Sequence, residues 1–116
     1  MTGAIFRISP EKSLELRFTA RRAEKLEALL GDGLVNGLQK IDRVGVMSQY
    51  IACGADISRE EALDAFDEFV EGGGTINDAA DVVMEALTNG GFITRSAANA
   101  VKKIQDQLSR RITQQS

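Results

Sequence analysis

The stretch Leu14 to Gly31, LELRFTARRAEKLEALLG, constrains the fold most. It opens with strict alternation, Leu14-Glu15-Leu16-Arg17-Phe18, the pattern of a strand with one buried face. At Thr19, a good N-cap, the period changes to that of a helix, with Ala23, Leu26, Leu29 and Leu30 on one side. It stops at Gly31, the residue helices favour just past their ends. A short strand feeding a capped amphipathic helix is therefore written into eighteen consecutive residues.

The residues before it supply a partner strand. Ala4 to Ser9 is β-like, and Pro10-Glu11-Lys12 separates it from Leu14 to Phe18, so a hairpin is the simplest reading. A lone hairpin is marginal and needs a helical layer over its apolar face, here Phe6, Ile8, Leu14, Leu16 and Phe18. Downstream the spacing predicts that layer. Leu34, Val35, Leu38 and Ile41 mark a second short helix, weakened by Gly37. Val44 to Cys53 forms a third, with Val46, Met47, Tyr50 and Ile51 inward. Ser58-Arg59-Glu60-Glu61 is a capping box. It opens a fourth helix that runs to Glu71 and buries Ala62, Leu63, Phe66, Phe69 and Val70. Gly72-Gly73-Gly74 ends it, and Thr75 caps a fifth helix with Ile76, Ala80, Val83, Met84 and Leu87 facing the core. The expected class is mainly α (α+β), a short N-terminal hairpin on a bundle of five to six short helices. Residues 1–92 read as a single helical domain.

Residues 93–116 differ in kind. Ala97, Val101, Ile104, Leu108 and Arg111 recur at alternating steps of four and three, a narrow stripe like a coiled-coil seam. Arg95, Lys102, Lys103, Gln105 and Arg110 surround it. Two readings stand: a loosely docked terminal helix, or a partner-binding helix carried by Val101, Ile104, Leu108, Lys102 and Lys103.

Composition bounds the chemistry. With 116 residues the chain is one domain, and 43% hydrophobic with 27% charged residues is globular. No apolar run is long enough to span a bilayer, and the N-terminus lacks the pattern of a secretory signal. The single cysteine, Cys53, excludes an internal disulfide framework and fits a reducing cytosol. The chain has no histidine, the commonest general base and metal ligand. Charge is segregated. Residues 1–43 hold eight basic and six acidic side chains, residues 56–85 one basic and ten acidic, and residues 95–116 five basic and one acidic. The acidic balance argues against a nucleic-acid footprint. The opposite poles suit electrostatic steering of a partner or of further copies of the chain.

Three constellations fail as chemistry. An EF-hand needs oxygen ligands at loop positions one, three and five with glycine at six. Around Gly72 or Gly73 an apolar residue or a glycine falls where a ligand belongs. A phosphate loop needs Lys then Ser or Thr after its glycines, and Thr75-Ile76-Asn77-Asp78 follows instead. Cys53 has no histidine to activate it. Neighbouring carboxylates such as Glu60 and Glu61 splay by about 100° on a helix and do not converge. The expectation is a non-enzyme with no cofactor and no metal.

The order of these pieces resembles one family. L-x-L-R-F-T leads into A-x-x-L-E-x-x-L-G, then MSQYIACGADISREEA, an acidic helix, a glycine turn and VVMEAL. Over residues 4 to 92 this is similar to the tail assembly chaperones of long-tailed bacteriophages, prophages and gene-transfer agents. LRFTARRAEKLEALLG and ISREEALDAFDEFVEGG carry most of the likeness. The resemblance implies a protein of the bacterial host cytoplasm, absent from the mature virion. It implies binding to the long tape-measure protein and help in delivering tail-tube protein, without catalysis. It also implies a shorter product of a gene whose frameshifted form carries an extra domain. Neither nucleic acid nor membrane is an expected partner, and a homo-oligomer formed head to tail along the client would suit the charge split. Two other classes compete: a structural head–tail connector or tail-completion protein, and a small helical DNA-binding regulator. The last would need cationic side chains on helices four and five, and residues 60–87 contain none.

Overall fold

The computed structural model describes residues 3–101 and residue 103. Strand β1 (Ala4–Ser9) pairs antiparallel with β2 (Lys12–Leu16), placing Ala4 opposite Leu16 and Phe6 opposite Leu14. The Ser9 hydroxyl accepts the Lys12 N–H at 3.1 Å and closes the turn around Pro10. β2 begins and ends two residues earlier than its alternation suggests. Ala4 is the last residue of β1 to find a partner, so Arg17 and Phe18 have no strand beside them. The Arg17 N–H instead donates to the Gly54 carbonyl at 2.9 Å. Phe18 stays buried, its ring beside Gly54.

Five helices follow: α1 (Ala20–Leu30), α2 (Leu34–Leu38), α3 (Val44–Ala55), α4 (Arg59–Glu71) and α5 (Ile76–Asn89). Residues 95–101 and 103 are helical and form the described part of α6. The bounds follow local chemistry. The Thr19 hydroxyl accepts the Arg22 N–H at 3.2 Å, and Gly31 closes α1 in the left-handed region at φ 68°. Both halves of the Ser58–Glu61 box form. Thr75 makes the same reciprocal cap with Asp78, a shorter carboxylate than the usual glutamate. Thr94 caps α6 through the Ala97 N–H at 3.1 Å.

Helix α3 is the centre of the molecule. It packs against α1 on one side and against α4, α5 and β2 on the others, while α4 and α5 cover the buried face of β1. Its run Met47, Ser48, Tyr50, Ile51, Ala52, Cys53 and Gly54 is buried almost without a break. Gly54 lets α3 approach Phe18 closely: a Cβ there would stand 3.0 Å from the Phe18 ring. Ser48, buried, donates its hydroxyl to the Val44 carbonyl at 2.7 Å.

Three expected core positions face solvent. Leu29 is 51% exposed, Val35 50% and Val70 46%. On α1 the buried arc holds Ala23 and Leu26 with Leu30 at its edge, and the helical step of about 100° carries Leu29 out of it. On α6 the buried residue is Ala98, with Ala97 only half-buried beside it. Ile93 and Ala98 join the same core as the hairpin and α1–α5, and Val101 packs partly against it.

Arg22 ties the hairpin exit to the end of α3. Its Nη1 donates to the Arg17 carbonyl at 2.9 Å and to the Gly54 carbonyl at 3.0 Å. Replacing Arg22 with methionine keeps the stem and removes both bonds, and is expected to cost about 1–2 kcal/mol in urea unfolding. Asp56→Asn should cost far less, because the Arg22–Asp56 pair is 3.8 Å long and the carboxylate 73% exposed. Equal effects of the two changes would show that the ion pair, not the carbonyl clamp, is what Arg22 contributes.

Candidate functional site

Of the five residues expected to bind a partner, two are described. Val101 is half-buried against the protein's own core, and Lys103 is exposed. Lys102, Ile104 and Leu108 lie outside the described residues. The structure therefore packs Val101, the second position of the terminal stripe, partly against the core.

A groove that sequence reasoning missed lies elsewhere. Along one wall run Ala20, Ala23, Glu24 and Glu27, a single stripe of α1. The other wall is Gly33 to Asn36, at the start of α2, and Phe92 completes it. The groove encloses about 630 Å³ and is open to solvent. Its lining is apolar apart from two carboxylates and Asn36, and holds no cationic side chain. Local hydrogen bonds shape it. Glu27 Oε2 accepts the Leu34 N–H at 3.0 Å, so one helix supplies the N-terminal cap of the next. Asp32 Oδ1 accepts the Gly33 N–H at 2.8 Å and the Asn36 amide at 3.3 Å. Those bonds hold the Asp32 carboxyl below the ordinary carboxylate range, the backbone one first.

Beneath α2, Tyr50 donates its hydroxyl to the Leu34 carbonyl at 2.6 Å. Burial pushes its phenol far above the ordinary range, with the carboxylates of Asp32 and Glu27 acting in the same direction. An unfolded tyrosine ionises near pH 10. The unfolded chain thus releases this proton first, and stability falls as pH rises above about 10. Tyr50 is the only tyrosine, so phenolate absorbance reads it alone. That absorbance should rise together with loss of helical circular dichroism in alkali, and phenolate appearing in the folded protein would contradict the buried bond.

The motifs that invite chemistry have structural roles. The Gly72, Gly73 and Gly74 N–H groups donate to the Glu68, Val70 and Phe69 carbonyls at 3.0–3.1 Å, so they terminate α4 and none is aimed outward at an anion. Cys53 is 4% exposed, and burial raises its thiol above the ordinary range. A thiol-directed reagent is expected to label Cys53 only at the rate at which the protein unfolds. Rapid labelling of the native protein would contradict that. Among the described residues no group of three or more cysteines and carboxylates could hold a metal ion.

The acidic side chains of the middle of the sequence are exposed on two helices. Helix α4 presents Glu60, Glu61, Asp64, Asp67 and Glu71 to solvent, and α5 presents Asp78 and Glu85. Lys12 reaches α4 from the hairpin and pairs with Glu68 at 3.3 Å. Among the described residues no helix is long and apolar enough to cross a membrane. No protein-family model, no curated protein and no solved structure matches the chain.

Proposed function

We propose that this chain is a tail assembly chaperone of a long-tailed bacteriophage, a prophage or a gene-transfer agent. It binds the tape-measure protein in the host cytoplasm, holds it soluble while tail-tube protein assembles around it, and leaves before the particle is complete. One observation carries the reading: the hairpin that passes through Thr19 into α1, in the stretch where the sequence likeness is strongest. The segregation of charge along the sequence supports it as well. Carboxylates on α4 and α5 face solvent, whereas residues 95–116 carry five basic side chains against one acidic. A protein that works by reversible association uses such poles to steer encounter and to line up copies along a long client.

The test is co-expression. The chain, produced with the product of a very long helical reading frame next to its own gene, should keep that product soluble and co-purify with it. It should be missing from purified particles. A client that precipitates equally with and without the chain would sink the reading, and so would retention in particles, which is the behaviour of a connector. Self-association that weakens steeply with added salt in sedimentation runs is expected from the charge split.

A further inference from the structure

We infer that the groove between α1, the start of α2 and Phe92 seats one helix of the client, and that it selects a helix whose apolar stripe is bordered by Lys or Arg. The partner's identity rests on the chaperone reading. The walls favour a helix. Neither wall is a strand: α1 and α2 are helices, and Glu27 takes the first N–H of α2, that of Leu34, at the corner between them. Such walls offer side chains and no sheet edge, so an extended strand would bury its own N–H and C=O groups unpaired. A helix brings its backbone already bonded. The open trough is also unlike the enclosed pockets that bury small ligands.

Fit and charge narrow the occupant further. Ala20 and Gly33 keep the rim low, which lets another helix approach closely. Val35, 50% exposed, and Phe92 supply the apolar contact. Two carboxylates and no cation line the groove. Glu27 is fixed by its bond to the Leu34 N–H, and Glu24 is exposed with no ion-pair partner among the described residues. A helix flanked by Lys or Arg gains at both, whereas one flanked by Glu meets like charge.

The probe is a pair of synthetic helices of about 18 residues, long enough to hold their shape, with one apolar stripe and either Lys or Glu beside it. Binding to the full chain is read by fluorescence anisotropy. The Lys-flanked peptide should bind about tenfold more tightly than the Glu-flanked one. Val35→Asp and Ala20→Arg should abolish binding of the Lys-flanked peptide, and Glu24→Lys should erase the preference. All three positions are exposed, so thermal melts should match the wild type. Equal binding of both peptides by wild type and variants would overturn the assignment. So would binding that falls as the chain's own concentration rises, since a second copy would then fill the groove. If the wild type keeps the client soluble and the folded groove variants do so equally, the groove is not the seat and the chaperone reading stands. If the Lys-flanked peptide binds through the groove while the client precipitates, the chaperone reading falls and the groove's preference stands.

Discussion

Replacing Phe6 with alanine is expected to remove about 3–5 kcal/mol of stability. Phe6 is 1% exposed, on the covered face of β1. Its ring meets Phe69 edge-on, with centroids 4.7 Å apart and planes at 61°. Leu14 stands opposite it in the register. A two-stranded hairpin has too few backbone bonds to persist by itself, so its hold on α4 and α5 is its stability. A domain of this size has roughly 5–15 kcal/mol in total, and the alanine variant stands to lose a large share of it. Phe6→Leu keeps most of the volume and should lose less than half as much. Ile5, next along the strand, is 47% exposed on the opposite face, and Ile5→Ala should stay within about 0.5 kcal/mol of the wild type. Urea unfolding followed by circular dichroism measures all three. A Phe6→Ala cost no larger than that of Ile5→Ala would mean that the hairpin does not pack on α4 as described.

What the sequence makes legible is what local chemistry decides. Thr19, Gly31, Ser58 with Glu61, and Thr75 each act within a few residues of themselves, and each lies where its motif predicts. The buried face of α5 is legible for the same reason, because its periodicity is a property of one segment, whereas α3 is buried nearly all round, and Ser48, Ala52 and Gly54 join its core beyond the expected face. What escapes is decided across the chain. β2 ends at Leu16 because β1 runs out of partners, and because Gly54, far along the chain, takes the Arg17 N–H. Leu29 is as apolar as Leu26 and lies just outside the arc that α3 covers. Ala98 rather than Ala97 turns inward, a choice that a run of small residues leaves open until the core is assembled. The groove is the largest such case. Its α1 wall is the border between the apolar side at Ala23 and the solvated side at Glu24 and Glu27, and Phe92 gives no hint in the sequence that it will stand beside Gly33. The acidic pole, by contrast, is visible from residue counts, since helices α4 and α5 carry it without help from elsewhere.

Gly37→Ala is expected to cost about 2–3 kcal/mol, opposite in sign to what helix propensity says. In an exposed helix the change gains up to about 1 kcal/mol, because alanine loses less backbone entropy than glycine. At Gly37 the added Cβ would stand 2.5 Å from the Tyr50 hydroxyl and 2.8 Å from Leu30 Cδ1. Tyr50 has no room to yield: it is fully buried, and its hydroxyl is held 2.6 Å from the Leu34 carbonyl. The new methyl group therefore either pushes α2 off α3 or breaks that bond and strands a buried carbonyl, and overpacking adds to both. A double-mutant cycle separates these contributions. Tyr50→Phe alone should cost about 1–3 kcal/mol, for the carbonyl it leaves unpaired. With the hydroxyl gone, one of the two collisions at residue 37 disappears, so Gly37→Ala should cost clearly less in the Tyr50→Phe background than in the wild type. Additivity within about 0.5 kcal/mol would show that the two residues do not touch. Coupling of the expected sign would make this glycine the reason that α2, and with it the far wall of the groove, sits directly on α3.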